Sequence, residues 1–149
     1  MFTGKVLEIN IAKNRKEDLS SIIQVEVIKN KGIIGDRYFK DIEDNEAAIT
    51  LIEQEALEAI YNEYSVTLSA KQSRRAVLTQ GVPLNHLVGK EFYIGDVLLE
   101  GFELAEPCGH LENLTNIRTL KNSLKHRGGL RARIKSNGQI KVGQEIKLK

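Results

Sequence analysis

The chain has 149 residues, 41% hydrophobic and 28% charged, a balance that suits one globular domain with a single core. Its 22 basic and 20 acidic residues give a formal net charge of +2, and aromatics are 5% with no Trp, which argues against a nucleic-acid binder on both charge and base stacking. A single cysteine excludes an internal disulfide and a cysteine-rich metal site, while Met1 to Lys13 lacks the apolar run of a signal peptide or membrane span, so the expected location is cytoplasmic.

Lys5 to Ala12 alternates apolar and polar residues and predicts a first strand. Asn14 to Ser21 is polar and reads as a loop. Ile22 to Ile28 predicts a second strand with Ile23, Val25 and Val27 on one face, ended by the turn signal Asn30-Lys31-Gly32. Ile33 to Asn45 has little periodicity and reads as a loop holding Gly35-Asp36-Arg37. Ala48 to Ile52 is an apolar run suited to a buried strand. Glu53 to Tyr64 places Ala56, Leu57, Ile60 and Tyr61 at helical spacing. Ala76 to Leu78 predicts a short strand, Pro83 to Val88 a short helix or turn, and Phe92 to Leu104 a hairpin about Gly95-Asp96. Leu111, Leu114, Ile117, Leu120 and Leu124 repeat every three or four residues and predict one helix over residues 110 to 125, closed by Gly128-Gly129. Ala132 to Ile134 and Ile140 to Leu148 predict the last strands, with a tight turn at Asn137-Gly138. About eight or nine short strands with two helices point to a small β-barrel with helical inserts, spanning residues 1–149 as one domain.

Cys108 is the first candidate for chemistry. It stands between the end of a predicted strand and the start of a predicted helix, where outward N–H groups and the helix dipole favour a thiolate. Pro107 fixes the backbone before it. The alternative is a buried, inert cysteine acting as a small hydrophobe, but Glu106, Gly109 and His110 are poor company for a core position. His110 could serve the thiol as a base or could be an ordinary surface histidine. One Cys and one His do not complete a zinc site.

Basic residues offer the second pattern. They crowd into Lys121, Lys125, His126, Arg127, Arg131, Arg133 and Lys135, a run equally compatible with a solvated face. Arg37 could clamp an anion with Asp36 holding its guanidinium, or the pair could be turn chemistry with a surface ion pair. Arg75 follows Arg74 at a strand entry, a place that suits anion binding or edge protection. His126 to Arg131 joins basic side chains to a Gly-Gly backbone that could cradle an oxyanion, with Arg127 and Arg131 as its cations. The lysine and Ser/Thr of a phosphate-binding loop are missing, as are GxSxG, HExxH and CxxC patterns.

Taken in order, these pieces resemble the MOSC family, the domain found at the C-terminus of molybdenum cofactor sulfurases. The resemblance rests on Gly35-Asp36-Arg37-Tyr38, Ile49-Thr50-Leu51-Ile52, Arg75-Ala76-Val77-Leu78-Thr79-Gln80-Gly81, Leu87-Val88-Gly89-Lys90, Phe92 to Asp96, Glu106-Pro107-Cys108, and Arg127-Gly128-Gly129-Leu130 followed by Asn137-Gly138-Gln139-Ile140 and Gly143. It implies a mainly β fold with two helices, a MOSC-type β-barrel related to the pyruvate kinase barrel domain. Cys108 would match the family cysteine, proposed to carry a persulfide or to ligate molybdenum. Arg37 and Arg75 would face the pterin phosphate or an oxyanion. The family usually carries His where Tyr38 stands and Asn where Ala76 stands.

The function the resemblance implies is a sulfur carrier or sulfur-transfer domain associated with the molybdenum cofactor. The alternatives are a non-catalytic cofactor-binding module and a molybdenum-dependent reductase of N-hydroxylated compounds with Cys108 as metal ligand. The implied partners are the cofactor or its biosynthetic enzymes and a cysteine desulfurase as sulfur donor, since the chain is too short for a pyridoxal-phosphate domain of its own.

Overall fold

The computed structural model describes every residue from Met1 to Lys149. The strands are β1 (Gly4–Ile11), β2 (Ser20–Ile22), β3 (Gln24–Ile28), β4 (Gly32–Ile33), β5 (Ile49–Glu53), β6 (Val77–Gln80), β7 (Glu91–Ile94), β8 (Val97–Leu104), β9 (Leu130–Ile134), β10 (Gly138–Lys141) and β11 (Glu145–Leu148). The helices are α1 (Gln54–Tyr64), α2 (Ala70–Ser73), α3 (Gly109–Thr115) and α4 (Leu120–Ser123), with a 3-10 turn at Leu84–Leu87.

Seven strands close into a barrel in the order β1, β11, β7, β8, β9, β5, β6 and back to β1. The closing seam pairs Gly4 with Ile146 and Lys5 with Glu145. β2 extends the wall beyond β1, and β10, β3 and β4 form a separate three-stranded sheet. All barrel pairings are antiparallel except β5 with β6, which run parallel and are joined through α1 and α2. Parallel neighbours need such a crossover, so the helices between them follow from that pairing.

The pleat of β5 explains its continuous apolar run. Ile49 and Leu51 point into the barrel core with Phe92, Leu99 and Ile134, while Ile52 points outward into a second apolar cluster with Leu57, Ile60, Leu78, Leu111, Leu120 and Leu124. A strand buried on both faces carries apolar residues at successive positions. The second cluster packs α1, α3 and α4 against one side of the barrel and so fixes the segment that holds Cys108.

Three sequence-based expectations are corrected. The strand expected over Ile22 to Ile28 breaks at Ile23, which is 78% exposed, and its halves join different sheets. The helix expected over residues 110 to 125 is two short helices, because Asn116 takes φ 57° and ψ 24° and ends α3. Asn is among the few residues that adopt this left-handed conformation readily. With α2, which the sequence reading passed over, four α-helices stand where two were expected, and Tyr61, placed on the apolar face of α1 by its spacing, is 61% exposed. The β7–β8 hairpin forms as expected, with Ile94 opposite Val97 across a two-residue turn.

Glu53, the last residue of β5, is half-buried. Burial raises its carboxyl above the ordinary value, the charge of Glu55 raises it further, and the Leu84 N–H lowers it. A folded value above the unfolded one means the folded state holds the proton more tightly. Stability then falls as pH rises through the interval between the two. Glu53→Gln is expected to melt at a higher temperature than the parent at pH 7 and at the same temperature near pH 4. Equal melting temperatures at pH 7 would remove Glu53 from the electrostatic account.

Candidate functional site

The site is built where three chain segments meet: the entry to β6, the β8–α3 connection and the α4–β9 connection. Arg75 ties them together. Its Nε donates to the Gly128 carbonyl at 2.8 Å and an NH2 nitrogen donates to the Ala105 carbonyl at 2.9 Å. Those carbonyls belong to buried residues, so the bonds satisfy acceptors that water does not reach.

The guanidinium of Arg75 is pushed down to about 10. Burial is the main cause, and the cation of Arg131 lowers it next. Tyr38 and Cys108 act in the opposite direction, and Arg37 lowers it slightly. Each of these groups therefore lies within electrostatic reach of Arg75. Cys108 itself is exposed, at the N-cap of the seven-residue α3, in extended conformation and with no capping hydrogen bond from its side chain.

Arg37 and Asp36 form a buried frame beside this cluster. Their side chains are 3% and 2% exposed, and Arg37 NH1 meets Asp36 Oδ1 at 3.0 Å. Asp36 also accepts the Ala12 and Tyr38 N–H groups, and Arg37 NH2 donates to the Arg74 carbonyl. Arg37 thus fixes the loop and the entry to β6. Its guanidinium lies 4.4 Å from the centroid of the Tyr38 ring, within cation–π range.

The remaining sequence-derived residues divide. Arg131 is half-buried, bonded to Glu103 and the Leu104 carbonyl, and belongs to the Arg75 cluster. Arg127 instead pairs with Glu63 of α1 and is not brought to that cluster. His110 is exposed on the first turn of α3 without a side-chain hydrogen bond, two residues from the thiol. His126 Nδ1 meets Glu106 at 2.8 Å, and Glu106 also accepts the His126 N–H. This clamp holds the chain on both sides of the α3–α4 pair.

Sequence reasoning missed Arg15, which sits 5.7 Å from the Tyr38 ring. It marked Arg74 with Arg75 as a basic pair but not its role: Arg74 binds the Arg15 and Glu17 carbonyls while holding φ at 61°. That role has no local signal, because the partners are backbone atoms of a distant polar loop. Nowhere do three His, Cys, Asp or Glu side chains converge as a metal-ligand set. No helix is long and apolar enough to cross a membrane.

Comparison with known proteins fits this architecture. YuaD from Bacillus subtilis superposes with a TM-score of 0.84 over 98% of this chain and 97% of its own, at 18% identity. YiiM from Geobacillus stearothermophilus gives 0.76 over 98% and 75%, at 16% identity, and YiiM from Escherichia coli 0.72 over 97% and 69%, at 13%. These likenesses establish the fold. No curated protein matches the sequence. Residues 35–147, from the loop that carries Asp36 and Arg37 through Cys108 to the last strand, match the MOSC domain. The chain therefore belongs to the MOSC domain family, which is associated with the molybdenum cofactor.

Proposed function

We propose that the chain is a sulfur carrier of molybdenum cofactor metabolism, holding the transferred sulfur as a persulfide on Cys108. The observation that carries this reading is the exposure of the sole thiol beside the Arg75 cluster. A carrier must present its sulfur to partners, so exposure suits it, and fixed cations nearby attract an anionic sulfur donor.

The step needs no oxidant. Cys108 Sγ attacks the outer sulfur of a donor persulfide, the donor S–S bond breaks, the donor thiolate leaves, and a new S–S bond joins that sulfur to Cys108. His110 takes the thiol proton beforehand in this reading, and Arg75 and Arg131 offset the negative charge before and after transfer. A cysteine desulfurase is the donor class, and a reducing cytoplasm keeps a lone thiol free for the reaction.

The same residues suit the cofactor itself. No cluster of protein ligands stands ready for a bare metal, but a group bringing its own sulfur ligands and an anionic tail asks less. Cys108 offers one soft ligand, and Arg75 and Arg131 offer cationic donors. When bound, the cofactor supplies the sulfur-accepting metal centre.

The test is intact mass after incubation with a cysteine desulfurase and L-cysteine. The expected result is a gain of one sulfur atom, lost on reduction with dithiothreitol and absent in Cys108→Ser. No gain on the parent chain overturns the carrier reading. Molybdenum retained through Cys108 after expression in a cofactor-producing host, without sulfur gain, would make Cys108 a metal ligand instead.

A further inference from the structure

We infer that the outer face of α3 and α4 is a docking surface for an acidic patch on the protein that delivers sulfur to Cys108; this rests on the carrier reading above. Between Glu112 and Glu145 the chain has no acidic residue at all, although the whole chain is nearly neutral. Three arginines of that stretch are neutralised by carboxylates from other elements: Arg127 by Glu63, Arg131 by Glu103, and Arg133 by Asp44, Glu46 and Glu100. Lys135 and Lys141, beside or within β10, have no such partner, but they lie on the separate three-stranded sheet and its approach rather than next to Cys108. The cations over the α3–α4 pair, which adjoins the thiol, are unpaired as well. Arg118, Lys121 and Lys125 are exposed, and none has a carboxylate within ion-pair distance.

The nearby acids are Glu106 and Glu112, two carboxylates against three cations. Both oxygens of Glu106 hold His126, and Glu112 accepts the Lys121 backbone N–H. Lys121 in α4 and Lys125, just beyond its C-cap, line a cleft of about 480 Å³ with Glu106, Pro107 and Glu112. Pro107 is the residue before Cys108, so whatever seats on these lysines is brought to the thiol. The cations are spread over an open surface rather than converging on one buried point. That geometry suits the broad complementary charge of a protein better than a single phosphate, and such charge acts mainly on encounter and orientation.

The experiment pairs two double variants of equal charge change: Lys121→Glu with Lys125→Glu on this face, and Lys29→Glu with Lys141→Glu on the separate three-stranded sheet. Each is loaded with sulfur from two sources, a cysteine desulfurase with L-cysteine and inorganic polysulfide, which needs no docking. The first variant is expected to load about tenfold more slowly from the protein donor and at the parent rate from polysulfide. The control variant should match the parent with both. Parent loading from the protein donor should slow steeply as NaCl rises from about 0.05 M to about 0.3 M. In parallel, donor affinity is measured on a Cys108→Ser background, where no sulfur moves.

Equal loading of both variants from the protein donor, with equal donor affinity, overturns the docking surface while leaving the carrier reading intact. Charge-dependent donor binding with no sulfur gain from either source keeps the surface and ends the carrier reading. Unchanged donor binding with weakened retention of the molybdenum cofactor would assign the lysines to the cofactor and overturn the proposal.

Discussion

Arg75→Ala is expected to destabilise the protein by about 2–3 kcal/mol, because two charge-assisted bonds are lost and the buried Gly128 and Ala105 carbonyls are left without a donor. Relief of repulsion from Arg131 and of the burial of the guanidinium offsets part of the loss, which is why the figure stays below the sum of two such bonds. Arg75→Lys should recover little of it, since one ammonium lacks the planar fork that reaches two carbonyls. Urea unfolding reads this directly. The same substitution removes positive charge near the thiol. Alkylation of Cys108 by anionic iodoacetate, relative to neutral iodoacetamide, is expected to slow by about threefold or more. An unchanged ratio together with unchanged stability would place Arg75 outside both the fold and the site.

Gly129→Ala is expected to cost about 4 kcal/mol or more and to leave little folded protein. Gly129 holds φ at 109°, where an L side chain is strained, and an added Cβ would lie 2.0 Å from the Leu51 carbonyl oxygen. That oxygen belongs to β5 in the barrel wall, so the clash is with backbone that is held on both sides by β6 and β9. The neighbouring Gly128 is confined in the same way, with a Cβ 2.3 Å from the Ala105 carbonyl oxygen. The contrast is Gly109→Ala, on the other side of the α3–α4 pair, where an added Cβ meets nothing within 4 Å; it should change stability by less than about 0.5 kcal/mol. Thermal unfolding of the two variants side by side checks the argument, and similar melting temperatures would refute it.

The local elements were readable where chemistry and spacing coincide. The β7–β8 hairpin follows from alternating residues about Gly95-Asp96, and β5 follows from a short apolar run. The break at Ile23 was not readable, because an exposed isoleucine between two strands has the same composition as a buried one within a single strand. The break at Asn116 was hidden by leucines whose spacing continues across it, since both short helices pack into the same cluster. Parallel pairing of β5 with β6 depends on a crossover geometry that no single segment encodes. At the site, the exposure of Cys108 was foreshadowed by its polar neighbours. The work of Arg75 was not, because its partners are backbone carbonyls 53 and 30 residues away and a carbonyl has no residue type.

The seam between β1 and β11 has a consequence for biogenesis. Synthesis delivers β1 before β11, so a nascent chain carries an open barrel whose β1 is flanked by β2 at Ile9–Ile11 but lacks its β11 partners at Gly4 and Lys5 until Glu145 and Ile146 emerge. Contacts so far apart along the chain form slowly. During translation the exposed margin is a place for chaperone engagement or strand exchange with a neighbouring nascent copy, and the helical layer over β5 and β6 can assemble before it is sealed.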